Sequence, residues 1–198
     1  MKTHDFEQYS PEWWALRLGK PTASKFDKII TTRAEPSKQK QKYLQQLAGE
    51  YVCGKAEQTY QNAAMLRGLE VESEAREFYE FKKDVEIKQV GFCVSDDETH
   101  GASPDGLVGD KGLIEIKCPL ITTHVGYLIK NTLVTDYFQQ VQGQMFVTGR
   151  DWTDLLSYYP GLRPVLIRVE RDEEFIMNLR VELRMFCEEL NEVINKIK

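Results

Sequence analysis

Residues 103 to 117 read S-P-D-G-L-V-G-D-K-G-L-I-E-I-K and set Asp105, Glu115 and Lys117 around one short hairpin. In a strand from Leu113 to Lys117, the two-residue side-chain period sends Glu115 and Lys117 to one face and Ile114 and Ile116 to the other. Acid and base then stand about 7 Å apart along the strand. Alone, E-x-K reads equally well as a weak surface ion pair. Asp105 lies on the opposite arm, so pairing of the arms brings two carboxylates together. S-P-D-G is itself a turn-forming sequence, but the hairpin already turns at Gly109-Asp110-Lys111-Gly112. Two adjacent carboxylates repel unless a proton or a cation sits between them. Hard oxygen ligands without histidine or cysteine suit Mg²⁺ or Mn²⁺, which fill their remaining positions with water and substrate phosphate. A lysine beside such a pair would orient or help deprotonate a water, or stabilise charge on a phosphoryl group in flight. The chemistry expected is phosphodiester hydrolysis.

The elements that must position these groups follow from periodicity. Ser10-Pro11-Glu12 starts a short helix that stops at Gly19, and Thr22 caps a second, A-S-K-F-D-K-I-I. Pro36 opens a longer helix closed by Gly54, and another helical pattern runs from Thr59 to Lys82. Val85 and Ile87, then Val90, Phe92 and Val94, alternate as half-buried strand segments, with Gly91 a bulge or close-approach point. One strand is expected from Ser103 to Val108 and its return from Leu113 to Lys117, ended by Pro119. Helices follow near Thr122 to Ile129 and Asp136 to Val147, then strands near Leu155 to Tyr159 and Pro164 to Glu170. A terminal helix from Asp172 carries an apolar stripe of Phe175, Leu179, Leu183, Phe186, Leu190 and Val193. This order predicts one α/β or α+β domain over residues 1–198, a mixed sheet with helices on both sides.

Composition narrows the class. At 198 residues, 41% hydrophobic and 29% charged, the chain can bury a core without staples. No run approaches a membrane span, and the opening M-K-T-H-D-F-E-Q-Y-S lacks a signal-peptide core, so the expectation is the cytoplasm. Cys53, Cys93, Cys118 and Cys187 are too scattered for zinc or an iron–sulfur cluster and read as reduced, mostly buried thiols. The net charge of −5 excludes binding nucleic acid by bulk charge. Residues 17–55, however, carry nine Lys/Arg against three acids, a local +6 on a chain that is −11 elsewhere. That segment is either a solvated face or a phosphate-binding surface.

Five blocks in order, W-x-x-L-R-L-G-x-x-T-A-S (from the tryptophan pair Trp13-Trp14 to Ser24), R-G-x-x-x-E-x-E-A-R (Arg67 to Arg76), S-P-D-G, L-I-E-I-K-C-P and Q-V-Q (Gln140 to Gln142), resemble the lambda-exonuclease and YqaJ-type viral recombinase nucleases of the restriction-endonuclease-like PD-(D/E)xK class. The resemblance implies that Asp105, Glu115 and the backbone carbonyl of Ile116 hold metal, that Glu72 serves a second ion through water, with Glu70 and Glu74 as competitors, and that Lys117 and Gln140 are catalytic. It implies a 5′-phosphate pocket of Arg17, Ser24 and Ser103, and DNA contacts from Arg33, Thr22 and Gln142. Met65 would be an apolar wedge between base pairs or a core methionine. Thr123-His124 stands where some relatives carry a minor-groove arginine. The implied function is a Mg²⁺-dependent (two ions, Mn²⁺ substituting) 5′-to-3′ exonuclease acting on 5′-phosphorylated double-stranded DNA ends. It would release 5′-mononucleotides, work as a homotrimeric ring in a bacterial host's cytoplasm and pass its product strand to a single-strand annealing protein. A structure-specific or single-strand endonuclease of the same fold and a non-catalytic DNA-binding module remain alternatives; nucleases bearing an iron–sulfur cluster are disfavoured by the cysteine spacing.

Overall fold

The strands fall into two sheets that the chain visits in turn. The structure, a computed structural model, describes residues 1–56 and 63–198, without the side chains of residues 63–66 and 69. β1 (Lys2–His4), β3 (Phe92–Val94) and β4 (Gly101–Ala102) make a small antiparallel sheet in the order β1-β3-β4. β2 (Ile87–Lys88), β5 (Gly106–Val108), β6 (Gly112–Lys117), β7 (Trp152–Ser157) and β8 (Val165–Glu170) make a five-stranded mixed sheet in that order. β6 and β7 are parallel, with Lys117 beside Ser157, and α4 (Ile121–Lys130) and α5 (Val134–Thr148) form the crossover that a parallel pair requires. The fold is the mixed α+β arrangement expected from the sequence.

Local chemistry explains most of the helix ends. Ser10 Oγ accepts from Trp13 N to start α1 (Pro11–Arg17), and Asp172 Oδ1 accepts from Phe175 N to start α6 (Glu173–Ile197). Gly54 ends α2 (Lys40–Cys53) in the left-handed conformation. The larger core lies between Leu113 and Leu155 on one face of the five-stranded sheet and the apolar faces of α2, α5 and α6. On the other face, α3 (Ala63–Lys83) packs Ala75 and Tyr79 on Ile114, Ile116 and Leu156. Each fully buried Phe, Leu or Ile contributes about 1.5–3 kcal/mol.

Four expectations are corrected. Ser103 to Val108 is not one strand: Pro104 cannot donate a ladder bond, so the chain leaves the small sheet after Ala102 and joins the large one at Gly106. S-P-D-G is therefore the crossing between two sheets. Phe92 to Val94 does not extend the large sheet; it pairs with β1, a strand that the sequence reading did not anticipate. The helix expected from Pro36 starts at Lys40, because Pro36 bridges to Ile30 and Ser37 N donates to Ile29 O, which holds this stretch out of the helix. Cys53 is exposed, while Cys93 and Cys187 are buried and Cys118 is half-buried. Gly91 is a close-approach point as expected, since a Cβ there would lie 2.1 Å from Phe6 O. Among the described residues, no helix is long and apolar enough to cross a membrane.

Alpha5 reaches the 3-10 helix at Ala23–Lys28 through Gly143, where a Cβ would sit 2.4 Å from the buried Phe26 ring. Gly143→Ala therefore lowers stability by about 1–2 kcal/mol, overpacking outweighing the gain in helix propensity of about 1 kcal/mol. Gly126→Ala, in open space on α4, raises it by about 0.5–1 kcal/mol. Urea midpoints of the two variants shifting in the same direction would refute this.

Candidate active site

The site grows outward from β6. Its alternation turns Glu115 and Lys117 toward α5, and the register that sets Gly106 against Ile114 carries Asp105 opposite Glu115. Asp105 Oδ2 accepts from Ile116 N at 2.6 Å. In a strand a residue's N–H and C=O face the same edge, so the Ile116 carbonyl points toward that carboxylate, beyond the last β5–β6 pair. Glu115 is only 3% exposed. Lys117 Nζ lies 2.6 Å from its Oε1, Gln140 Nε2 donates to the same oxygen at 2.5 Å, and Gln144 Nε2 donates to Oε2 at 2.5 Å.

The charges here are unevenly matched. Burial, then the charges of Glu115 and Glu72, push the Asp105 carboxyl well above the usual carboxylate range. Burial works to lower the Lys117 ammonium, but Glu115 and Asp105 outweigh it and raise the group, so the lysine is held as a cation. Its Nζ also donates to Gln140 Oε1 at 3.2 Å and lies 4.7 Å from the Tyr137 ring centroid. Glu72 is raised by burial and by Glu115 and lowered by its ion pair with Arg76, which is 2.7 Å away. It is thus the helical acid that senses the pair. Glu70 is exposed, and Glu74 accepts from Tyr158 OH at 2.6 Å.

Among the described residues, no three carboxylate, imidazole or thiol groups converge as a closed metal cage. The donor set is two facing carboxylates and a strand carbonyl, with Glu72 farther out. Its excess negative charge fits a hard divalent cation that takes few protein ligands, such as Mg²⁺.

A second cluster lies across the sheet crossing. Arg17 Nη1 donates to Ser103 Oγ at 3.0 Å and Nη2 to Thr22 Oγ1 at 3.4 Å, and Thr22 Oγ1 lies 3.4 Å from Ser24 Oγ. Trp13 supports both groups: its Nε1 donates to Ser103 Oγ at 3.0 Å, and the Arg17 guanidinium sits 3.9 Å from its ring centroid. Among the described residues no carboxylate pairs with Arg17, and burial lowers its pKa to about 10. Thr22 stands at the N-cap position of the 3-10 helix as expected, but its hydroxyl makes no cap bond and accepts from Arg17 instead. Lys20, Lys25 and Lys28 line the adjoining groove, so part of the basic segment is gathered beside this pocket.

The other sequence-predicted residues divide. Gln142 is not at a DNA surface: it is 1% exposed, donates to Glu170 O and accepts from Asp172 N, tying α5 to the start of α6. The second glutamine at the carboxylates is Gln144, which the sequence reading did not include; it is buried, one helical turn from Gln140, whereas Gln142 is half a turn away. Tyr137 shares the Gln140 face at i−3. The helical period was the signal for both. Arg33 is exposed on the turn between Ile30 and Pro36. His124 is fully buried between Ser157 Oγ and Arg163 O and is closed to any duplex, whereas Thr123 is exposed. The Met65 side chain lies outside the described residues.

Residues 12–151 match the YqaJ-like viral recombinase domain. The crystal structure of an alkaline exonuclease, LHK-Exo, from Laribacter hongkongensis is 37% identical with a TM-score of 0.86, covering 95% of this chain and 96% of that one. LHK-Exo in complex with dAMP gives 38% and 0.87, covering 96% of each. A phage-related exonuclease from Haemophilus somnus, 16% identical with a TM-score of 0.72 over 90% of this chain, shares the fold. An uncharacterized mimivirus protein of Acanthamoeba polyphaga mimivirus is 29% identical over 170 residues, 79% of this chain, and the chain spans 30% of that protein's length. The restriction-endonuclease-like fold, the carboxylate–lysine hairpin and the arginine pocket all lie in or beside the matched span, and the chain belongs to the YqaJ-like viral recombinase family.

Proposed function

We propose that this protein is a Mg²⁺-dependent exonuclease that engages 5′-phosphorylated ends of double-stranded DNA, digests one strand 5′ to 3′ and releases 5′-mononucleotides. The observation that carries this reading is the Arg17 guanidinium, held against the hydroxyls of Ser103 and Thr22 and paired with no carboxylate among the described residues, with Ser103 only two residues along the chain from Asp105, which stands opposite Glu115. Ser103 belongs to the first cluster and Asp105 to the second. An extended two-residue step is about 7 Å, of the order of one phosphate-to-phosphate spacing. A terminal phosphate gripped at Arg17 would place the next phosphodiester at Asp105 and Glu115. LHK-Exo is an alkaline exonuclease, which supports this reading.

In this mechanism Asp105, Glu115 and the Ile116 carbonyl would hold the metal, with Glu72 acting through water. Bound there, the ions supply Lewis acidity at the phosphoryl oxygens and a more acidic water. Lys117 presents its ammonium to the phosphoryl group under attack, and Gln140 fixes that ammonium's direction through Oε1. Arg17, Ser103 and Ser24, with Thr22 bracing Arg17, bind the terminal phosphate, bidentate contact giving polarity; Arg33 and the groove lysines follow the backbone. A homotrimeric ring, with basic grooves inward and acidic surface outward, would keep DNA in the channel. An annealing protein would receive the remaining strand, in a bacterial host's cytoplasm.

The test is digestion of a linear duplex with one 5′-phosphate and one 5′-hydroxyl end, with Mg²⁺ or EDTA. Mononucleotides are expected from the phosphorylated end, lost in EDTA and reduced about 10³-fold or more by Lys117→Ala. Internal cuts, or DNA binding without cleavage, would sink the reading. Arg17→Ala is expected to erase the preference for the phosphorylated end by about 10–100-fold in kcat/KM while leaving residual cleavage of the hydroxyl end. Equal loss at both ends would remove Arg17 from the pocket.

Metal binding has its own readout. Because the folded-state pKa of Asp105 is raised, the metal-free protein loses stability as pH rises through the ordinary carboxylate range toward that pKa. A cation replaces the proton. The Mg²⁺-induced rise in Tm is therefore expected to grow as pH rises above the ordinary carboxylate range, and to be absent in Asp105→Asn. A rise independent of pH would place the metal elsewhere.

A further inference from the structure

The cleft leading to the carboxylates is about 670 Å³ and is lined by Tyr9, Glu72, Ser73, Arg76, Gly91 and Asp105. That is the size of a pocket that encloses a small molecule. The catalytic residues account for its floor; its aromatic lining, Phe6 and the more exposed Tyr9, has no part in that chemistry.

Tyr9 has three unusual properties. It sits third in the turn Glu7 to Ser10, closed by Ser10 N donating to Glu7 O, with φ +70, a conformation that favours glycine. A bulky residue held there against its local preference points to a functional constraint. The turn is also fixed to the active-site backbone, because Gln8 Nε2 donates to Pro104 O, the residue before Asp105, and to Val90 O, both at 3.1 Å. Finally, the ring leans on Trp13 at 5.1 Å and Trp14 at 6.5 Å between centroids, yet Tyr9 remains 46% exposed. Trp13 is the residue that also carries Arg17 and Ser103. The hydroxyl feels Asp105, Glu72, Lys117 and Arg17. Tyr9 thus stands between the phosphate pocket and the carboxylate pair, where the nucleotide joining the two phosphates must lie.

We propose that Tyr9 is the stacking platform for the base of the 5′-terminal nucleotide, packed on Trp13 and Trp14 and presenting its open face to the cleft. A π-face accepts any base, so this contact gives grip without sequence preference. It deepens the exonuclease reading and rests on it for the placement of the terminal nucleotide.

The experiment measures binding of a short 5′-phosphorylated oligonucleotide by fluorescence anisotropy, with Ca²⁺ in place of Mg²⁺ to prevent cleavage. Its first nucleotide is either normal or abasic, and the proteins are wild type, Tyr9→Phe, Tyr9→Leu and Tyr9→Gly. Removing the base is expected to weaken wild-type binding about 10–100-fold. Tyr9→Phe should behave as wild type. Tyr9→Gly should lose that same factor on the normal oligonucleotide and bind the abasic one as wild type does, while its Tm holds or rises because the turn is relieved. Tyr9→Leu, which keeps apolar packing on the tryptophans, should lose binding without losing Tm. If base removal and loss of the ring multiply independently, or Tyr9→Gly binds the normal end as wild type does, the platform is refuted. Digestion of DNA by the wild type is scored separately: an inactive wild type overturns the exonuclease reading, and an active one with independent effects overturns only the role of Tyr9.

Discussion

A carboxylate inside a sheet constrains everything around it. Taking an unpaired charge out of water costs several kcal/mol, and Glu115, on a central strand, is relieved by three donors that arrive from two elements: Lys117 from β6 itself, Gln140 and Gln144 from α5. Alpha5 cannot slide on the sheet without stripping one of those bonds. It is held in turn against the 3-10 helix at Gly143, and at the start of α6 by both ends of the Gln142 amide. The folded core and the reactive face are consequently one structure, since the packing that covers the sheet also aims the donors.

The contrast with Asp154 shows what separates structural from chemical burial. Asp154 lies on the adjacent strand and is 1% exposed, yet its two oxygens are taken by Arg168 at 2.8 and 2.9 Å and by Tyr79 OH at 2.8 Å. Its charge is answered from within the protein. At Asp105 the nearest groups are two further acids, a lysine already engaged by Glu115 and one backbone amide. At the cross-strand spacing of about 5 Å and an effective dielectric of about 20, a facing pair of charged carboxylates repels by about 3 kcal/mol. Burial and that repulsion together favour a proton on Asp105, and a cation bound in the proposed site would relieve the same repulsion.

What could be read from the sequence was what depends on short spacing. The face shared by Glu115 and Lys117 follows from a two-residue period, the start of α1 from Ser10 and Pro11, and the buried stripe of α6 from its repeat. Motif matching located Gln140 but took its sequence neighbour Gln142 with it, where the helical period would have selected Gln144. The N-terminal strand was illegible, because three residues carry no periodicity and the partner that makes Lys2–His4 a strand lies about 90 residues away at Phe92–Val94. For the same reason Ser103 and Val108 looked like one strand. Nothing local announces that the chain changes sheets between them. The pocket around Arg17 was legible as residue types and not as geometry, since Trp13, which joins Arg17 to Ser103, acts through a tertiary contact.

That change of sheets has a mechanical consequence. The hydroxyl of Ser103 belongs to the end of the small sheet and the carboxylate of Asp105 to the beginning of the large one, so the only covalent gauge between the two clusters is a single proline residue. The side chain of Gln8, bonded to Pro104 O, braces that gauge from outside. Any rocking of one sheet against the other would appear directly as an error in the length measured along a bound strand. In the proposed exonuclease, the rigidity of the small sheet, whose Cys93 and Ala102 also belong to the main core, would thereby be converted into the constancy of an increment.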